Sequence, residues 1–130
     1  MSKRLYGIRG AVCCGNTEQE ILDGVEKMCW NVLQDNNLTA EDIVSIQFTV
    51  TSDLDALNPA AALRRSKCGQ IVKNCALFCS AEPYIKGSLK QVVRLLITAY
   101  MPENSNPVHC YTGGAEVLRP DFVTKKSVTI

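Results

Sequence analysis

The sequence predicts an α/β (α+β) fold: a mixed sheet of about five strands with one long helix and short helices. Three observations carry this prediction. A capped amphipathic helix follows a first apolar strand. A cleanly alternating strand follows that helix. A short proline-started helix then leads into three further β-rich runs, all within 130 residues. The order is strand, helix, strand, short helix, three strands. With no linker, repeat or low-complexity stretch, 1–130 reads as a single domain.

Residues 4–14 (RLYGIRGAVCC) read as the first strand. Gly7 and Gly10 flank Ile8 and Arg9, and glycine within a strand marks a bulge or close backbone approach. Thr17-Glu18-Gln19-Glu20 is a capping box. Ile21, Leu22, Val25, Met28, Cys29, Val32 and Leu33 then recur at helical spacing, and Asp35-Asn36-Asn37 closes the helix. Residues 43–51 alternate, with Val44, Ile46, Phe48 and Val50 on one face and Ser45, Gln47 and Thr49 on the other. Asn58-Pro59 opens a short helix that runs to Arg65, with proline at its first position. Ile71 to Cys79 is expected as the third strand, and Glu82-Pro83 to Gly87 as irregular. Val92 to Tyr100 is continuously apolar. Its Val, Ile, Thr and Tyr content predicts a strand, in which Arg94 is a lone charge. Pro107 to Thr112 is expected as the fifth strand, followed by a Gly113-Gly114 turn. Residues 118–130 carry weak structural signals and read as a flexible tail.

Composition excludes several function classes. A net charge of +1 argues against a nucleic-acid binder, which carries a basic excess or stripe. No run approaches about 18 apolar residues, so no membrane span is expected. Met1-Ser2-Lys3-Arg4-Leu5-Tyr6 leads into no apolar stretch, so no signal peptide is expected and the protein reads as cytoplasmic. The seven cysteines are an odd number, which suits reduced thiols. Only Cys75 and Cys79 have metal-ligand spacing, and His109 is the single histidine, so no metal site is expected. The same histidine is the only one available to a nucleophile–base pair. Glycine pairs occur, but no dinucleotide fingerprint or phosphate loop.

The arginines are more informative. Arg9 sits in a glycine-bracketed strand and Arg94 in an apolar one. Such placements are costly unless an anion pairs with the guanidinium. Two accounts fit: internal ion pairs with Glu82 or Glu116, or a cationic pocket for a small carboxylated ligand.

Taken together, GIRGA (7–11), NTEQEIL (16–22), TSDLDALNPAAALR (51–64), CSAE (79–82), KGSLKQVVR (86–94), Tyr111 and AEVLRPD (115–121) span nearly the full chain. In that order and spacing the sequence resembles the bacterial monofunctional chorismate mutases of the AroH class. The resemblance implies a homotrimeric pseudo-α/β-barrel with an active site in each cleft between subunits. It implies conversion of chorismate to prephenate without metal or cofactor. It assigns Arg94 to the ether oxygen of the breaking bond and Glu82 to the ring hydroxyl. Arg9 and Tyr111 would hold carboxylate. Phe78 and Cys79 would wall the ring region, with Ser80 and Ala81 leading to Glu82. Arg64 would reach the pocket edge from the adjacent subunit, and Leu118 and Arg119 would help cover the cleft. Family members carry an aromatic residue and a lysine near the short helix, where this chain has Asn58 and Ala61. Its rim is therefore less cationic. Gly87-Ser88 replaces a double glycine, and Pro83 and Tyr84 follow the glutamate.

The implied reaction is a unimolecular [3,3] rearrangement. No proton moves in the bond-changing step, so the lack of a catalytic triad is no objection. Two other functions use the same architecture: an enamine/imine deaminase of the RidA type, and a non-catalytic trimer that binds a metabolite.

Overall fold

In the computed structural model, which describes residues 2–122, nine elements follow one another. They are β1 (Lys3–Cys13), α1 (Glu18–Asp35), β2 (Ile43–Val50), α2 (Pro59–Arg65), β3 (Ala76–Ala81), β4 (Val92–Pro102), β5 (Cys110–Thr112), and two 3-10 turns, Ala115–Leu118 and Pro120–Phe122. The five strands lie in the order β3-β2-β4-β1-β5. β4 runs antiparallel to both β1 and β2, while β2–β3 and β1–β5 are parallel. The mixed sheet expected from the sequence is present. Of the expected tail, residues 118–122 form a turn end and a 3-10 turn, and 123–130 lie outside the described residues.

Local chemistry explains the elements. Thr17 caps α1: its hydroxyl accepts the Glu20 N–H at 3.1 Å and donates to the Glu20 carboxylate at 2.9 Å. One stripe of α1 (Ile21, Val25, Met28, Cys29, Val32, Leu33) is buried against the sheet. Burying each large aliphatic side chain contributes roughly 1.5–3 kcal/mol. Asn58 caps α2 by accepting the Ala60 N–H at 2.8 Å, so its side chain is engaged by the helix.

Two strands differ from expectation. The third starts at Ala76 rather than Ile71 and extends to Ala81. Before it, Ile71 and Val72 donate to Cys68 C=O, and Cys68 and Val72 are buried together four residues apart. That apolar pair closes a turn rather than alternating along a strand. The fifth strand is confined to Cys110–Thr112 instead of starting at Pro107. Pro107 has no N–H to give. The Asn36 side chain takes both Val108 backbone groups, at 2.9 and 2.7 Å, ahead of any ladder.

Helices cover one face of the sheet. Ile8, Val12, Ile46, Phe48, Val93, Leu95 and Ile97 point into that core. Alternation sends Leu5, Arg9, Ala11, Gln47, Thr49, Phe78, Arg94, Leu96 and Tyr100 to the opposite face. Past β5, Gly113 (φ 66°) and Gly114 (φ 106°) take left-handed conformations that suit glycine. This turn leads the chain across one end of the open face, where Ala115 joins Ala11, Val92 and Tyr111 in a second small core. The rest stays uncovered: Phe78 is 66% and Leu96 40% exposed.

Candidate active site

One rung crosses the whole sheet. Ser80 on β3 pairs with Thr49 on β2, Thr49 with Arg94 on β4, Arg94 with Ala11 on β1, and Ala11 with Tyr111 on β5. All five belong to the open face. A strand spacing of about 4.8 Å puts the Arg94 and Tyr111 backbones roughly 10 Å apart. Arg9 lies on the same face, two residues along β1 from Ala11.

Glu82 joins this rung from the end of β3. Its N–H donates to Val50 C=O at 2.9 Å, which continues the β2–β3 pairing by one residue. Its side chain therefore shares the face of Phe78 and Ser80. The Thr49 hydroxyl donates to Glu82 Oε1, and Glu82 Oε2 lies 3.2 Å from Arg94 Nε. The contact is electrostatic but not an aligned hydrogen bond, because the buried Arg94 Nε–H does not point at the oxygen. A desolvated donor without a bond costs about 1–3 kcal/mol, and any acceptor that meets it recovers that cost.

The two accounts of the arginines thus divide. Arg94 is paired internally with Glu82. Glu116 instead accepts the Gly114 N–H at 2.7 Å. Among the described residues Arg9 has no carboxylate within ion-pair distance and is exposed. A free cation therefore stands on the same face as a pair that combines a donor with an acceptor. That arrangement suits a small anion carrying a hydroxyl and an ether or carbonyl oxygen.

The remaining expected residues fall into three groups. Tyr111 is buried in the second small core, and Leu118 packs against it. Arg119 forms two bonds to Asp121, Nε to Oδ1 at 3.0 Å and Nη2 to Oδ2 at 2.7 Å, and these hold the Asp121 carboxyl below its usual range. Cys79 and Ala81 alternate toward the helical side, and Cys79 packs against the main core. Its side chain is thus on the face opposite Phe78, Ser80 and Glu82. Burial also pushes its thiol up from the usual value. Arg64 is exposed on α2, which lies against α1, and makes no ion pair or hydrogen bond with the other candidates among the described residues. A cavity of about 370 Å³ beside Glu82 is walled by Thr51, Asp53, Tyr84 and Lys90 among others, and includes neither Arg9, Arg94 nor Tyr111.

Thr49 is the residue that sequence reasoning did not single out. Alternation already places it on the polar face of β2. The register that sets it against Arg94 and beside Glu82 is a property of strand pairing.

The chain matches the family model for chorismate mutase type I over residues 5–122. It is 31% identical over 128 residues to a chorismate mutase AroH from Bacillus subtilis (strain 168), covering 97% of this chain and 98% of that protein. It is 30% identical over 119 residues to the AroH enzyme of Thermus thermophilus, covering 89% and 94%. A solved chorismate mutase from Clostridium thermocellum superposes with a TM-score of 0.75 at 34% identity, covering 86% of this chain and 98% of the other. A match of this extent, together with a mixed five-stranded sheet and a guanidinium–carboxylate pair on its open face, leads to one conclusion: the chain belongs to the chorismate mutase type I family.

Proposed function

We propose that the chain rearranges chorismate to prephenate, the branch step toward phenylalanine and tyrosine, with Arg94 and Glu82 as its catalytic residues. The Arg94–Glu82 pair on the open face carries this reading. In chorismate the ether oxygen and the ring hydroxyl sit on neighbouring carbons. A donor and an acceptor about 3 Å apart can meet both at once. The Arg94 guanidinium stabilises negative charge as the ether bond breaks, as an oxyanion-hole donor does. Glu82, held by Thr49, accepts the ring hydroxyl and fixes the ring. Arg9 and Tyr111 take the carboxylates and hold the compact conformer in which the reacting carbons meet. No group has to move a proton, so the protonated thiols and the single histidine are no handicap.

The functional unit in this reading is a cytoplasmic homotrimer with active sites between subunits. Three observations support it. The open face leaves Phe78, Leu96 and Tyr100 exposed where a second layer would bury them. Arg64 is exposed on α2 and bonds none of the other site candidates of its own chain among the described residues, so it is free to serve a neighbour. The cavity beside Glu82 does not extend to Arg9 or Tyr111 within one chain. Among the described residues, no helix is long and apolar enough to cross a membrane. The test is loss of chorismate absorbance with purified protein, wild type beside Arg94→Ala. Turnover in the wild type that falls by about 10²–10³ in the variant is expected; no wild-type turnover would overturn the proposal.

A further inference from the structure

Phe122, the last described residue, lies at the centre of a cluster that joins His109 to three of the site's residues. Its ring centroid is 4.3 Å from that of His109 and 5.9 Å from that of Tyr111. The Arg119 guanidinium carbon lies 3.7 Å from the Phe122 centroid, and that of Arg9 5.8 Å. One phenyl ring therefore touches or faces two of the site's arginines, Arg9 and Arg119, and its tyrosine, Tyr111.

His109 fixes this ring to the sheet. Its Nδ1 accepts the Arg9 backbone N–H at 2.9 Å. The preceding residue is held by Asn36, whose side chain also bonds Val32 C=O at the end of α1. The path is continuous: the end of α1 holds Val108, His109 holds the β1 backbone at Arg9, and Phe122 stacks on His109. Burial and the nearby Arg9 and Arg119 charges lower the His109 pKa, which favours the neutral ring that an accepting nitrogen requires.

We propose that Phe122 and His109 are positioning residues: an aromatic seat that docks the 3-10 turn Pro120–Phe122 on the sheet and sets the Arg9 and Arg119 guanidiniums for the substrate carboxylates. Two like charges gathered at one ring repel each other. The electron-rich ring face offsets part of that repulsion, and a bound carboxylate offsets the rest. Arg119 is meanwhile held by Asp121, so the ring fixes the place of a cation whose partner can be exchanged for substrate.

The inference rests on the carboxylate role of Arg9, and the experiment separates the two. Steady-state kinetics on chorismate are measured for the full chain and for Phe122→Ala, Phe122→Tyr, Arg9→Ala, Arg119→Ala and the double variant Phe122→Ala/Arg119→Ala. Phe122→Ala should raise KM about tenfold with kcat changed far less, the size of a lost cation–π contact in a partly desolvated site. Phe122→Tyr should restore the wild-type KM. In the Arg119→Ala background, Phe122→Ala should add less than it does alone, because part of the ring's effect runs through Arg119 and only the Arg9 part remains. Phe122→Ala with unchanged KM, or full additivity of the two changes, overturns the seat. An unchanged KM in Arg9→Ala overturns the carboxylate role itself. If Phe122→Ala loses its folded circular-dichroism signal, Phe122→Leu takes its place: it keeps the apolar contact and removes the ring face, and a wild-type KM in that variant equally overturns the proposal.

Discussion

Thr49→Val isolates one hydrogen bond of the site. Valine keeps the branched shape and the strand preference of β2 but removes the hydroxyl that donates to Glu82 Oε1. The carboxylate then keeps only its unaligned contact with Arg94. A hydrogen bond to a charged group is worth about 1.5–3 kcal/mol, and the Glu82 side chain is 19% exposed, so water replaces part of it. A loss near the lower end, about 1–1.5 kcal/mol, corresponds to roughly a five- to twelvefold fall in kcat. KM should move less, because Arg9 and Tyr111 are untouched. The assay is chorismate consumption at saturating substrate, with thermal unfolding as a check on folding. A kcat within about twofold of wild type would refute the view that Thr49 orients Glu82.

Further outcomes follow from the same geometry. Glu82→Gln keeps an oxygen for Thr49 and for a substrate hydroxyl, so it should retain more kcat than Glu82→Ala; the reverse order would contradict the acceptor role. Cys79→Ser should keep kcat within about threefold, since the thiol lies on the helical side of β3. A larger loss would place that side chain in the cleft after all. His109 is held neutral by burial and by Arg9 and Arg119, with Asp121 opposing. Its unfolded form protonates near 6.5, so the stability it contributes is complete above that pH and is lost as pH falls through the lowered folded value. Thermal midpoints should therefore drop more between pH 7 and 5 in wild type than in His109→Phe; equal slopes would contradict it.

Much of the fold was legible in the sequence because local signals agreed with tertiary packing. Thr17 and Glu20 announced α1, and its apolar stripe is the buried one. The alternation of Ile46 and Phe48 with Gln47 and Thr49 is the two-faced strand β2, but a register shift between Ile43 and Ser45 buries Ile43 and leaves Val44, expected on the apolar face, exposed. The third strand starts later than the apolar pattern predicts because Ile71 and Val72 are apolar for a different reason: Val72 packs beside Cys68 in a turn. The fifth was too long because nothing local to Pro107-Val108 reveals that Asn36, 72 residues away, binds that backbone. The site shows the same division. Arg9, Arg94, Glu82 and Tyr111 were singled out from residue type and family resemblance, and strand register gathers them on one face. The resemblance assigns Cys79 to the ring wall and Ala81 to the approach to Glu82, whereas a period of two turns both side chains to the face opposite Phe78, Ser80 and Glu82. The Thr49–Glu82 bond and the Phe122 cluster depend on register and on the turn after β5, which no local pattern encodes.

The central claim is that a positive charge at position 94 stabilises the transition state, beyond filling space or pairing with Glu82. The most direct measurement is kcat for a protein in which Arg94 is replaced by its neutral urea isostere, which keeps the length, the shape and the Nε–H and replaces one Nη by a carbonyl oxygen. A fall of at least about 10²-fold in kcat with a smaller change in KM is predicted, because the lost term is charge stabilisation at the breaking ether bond. A variant that keeps wild-type kcat would contradict it.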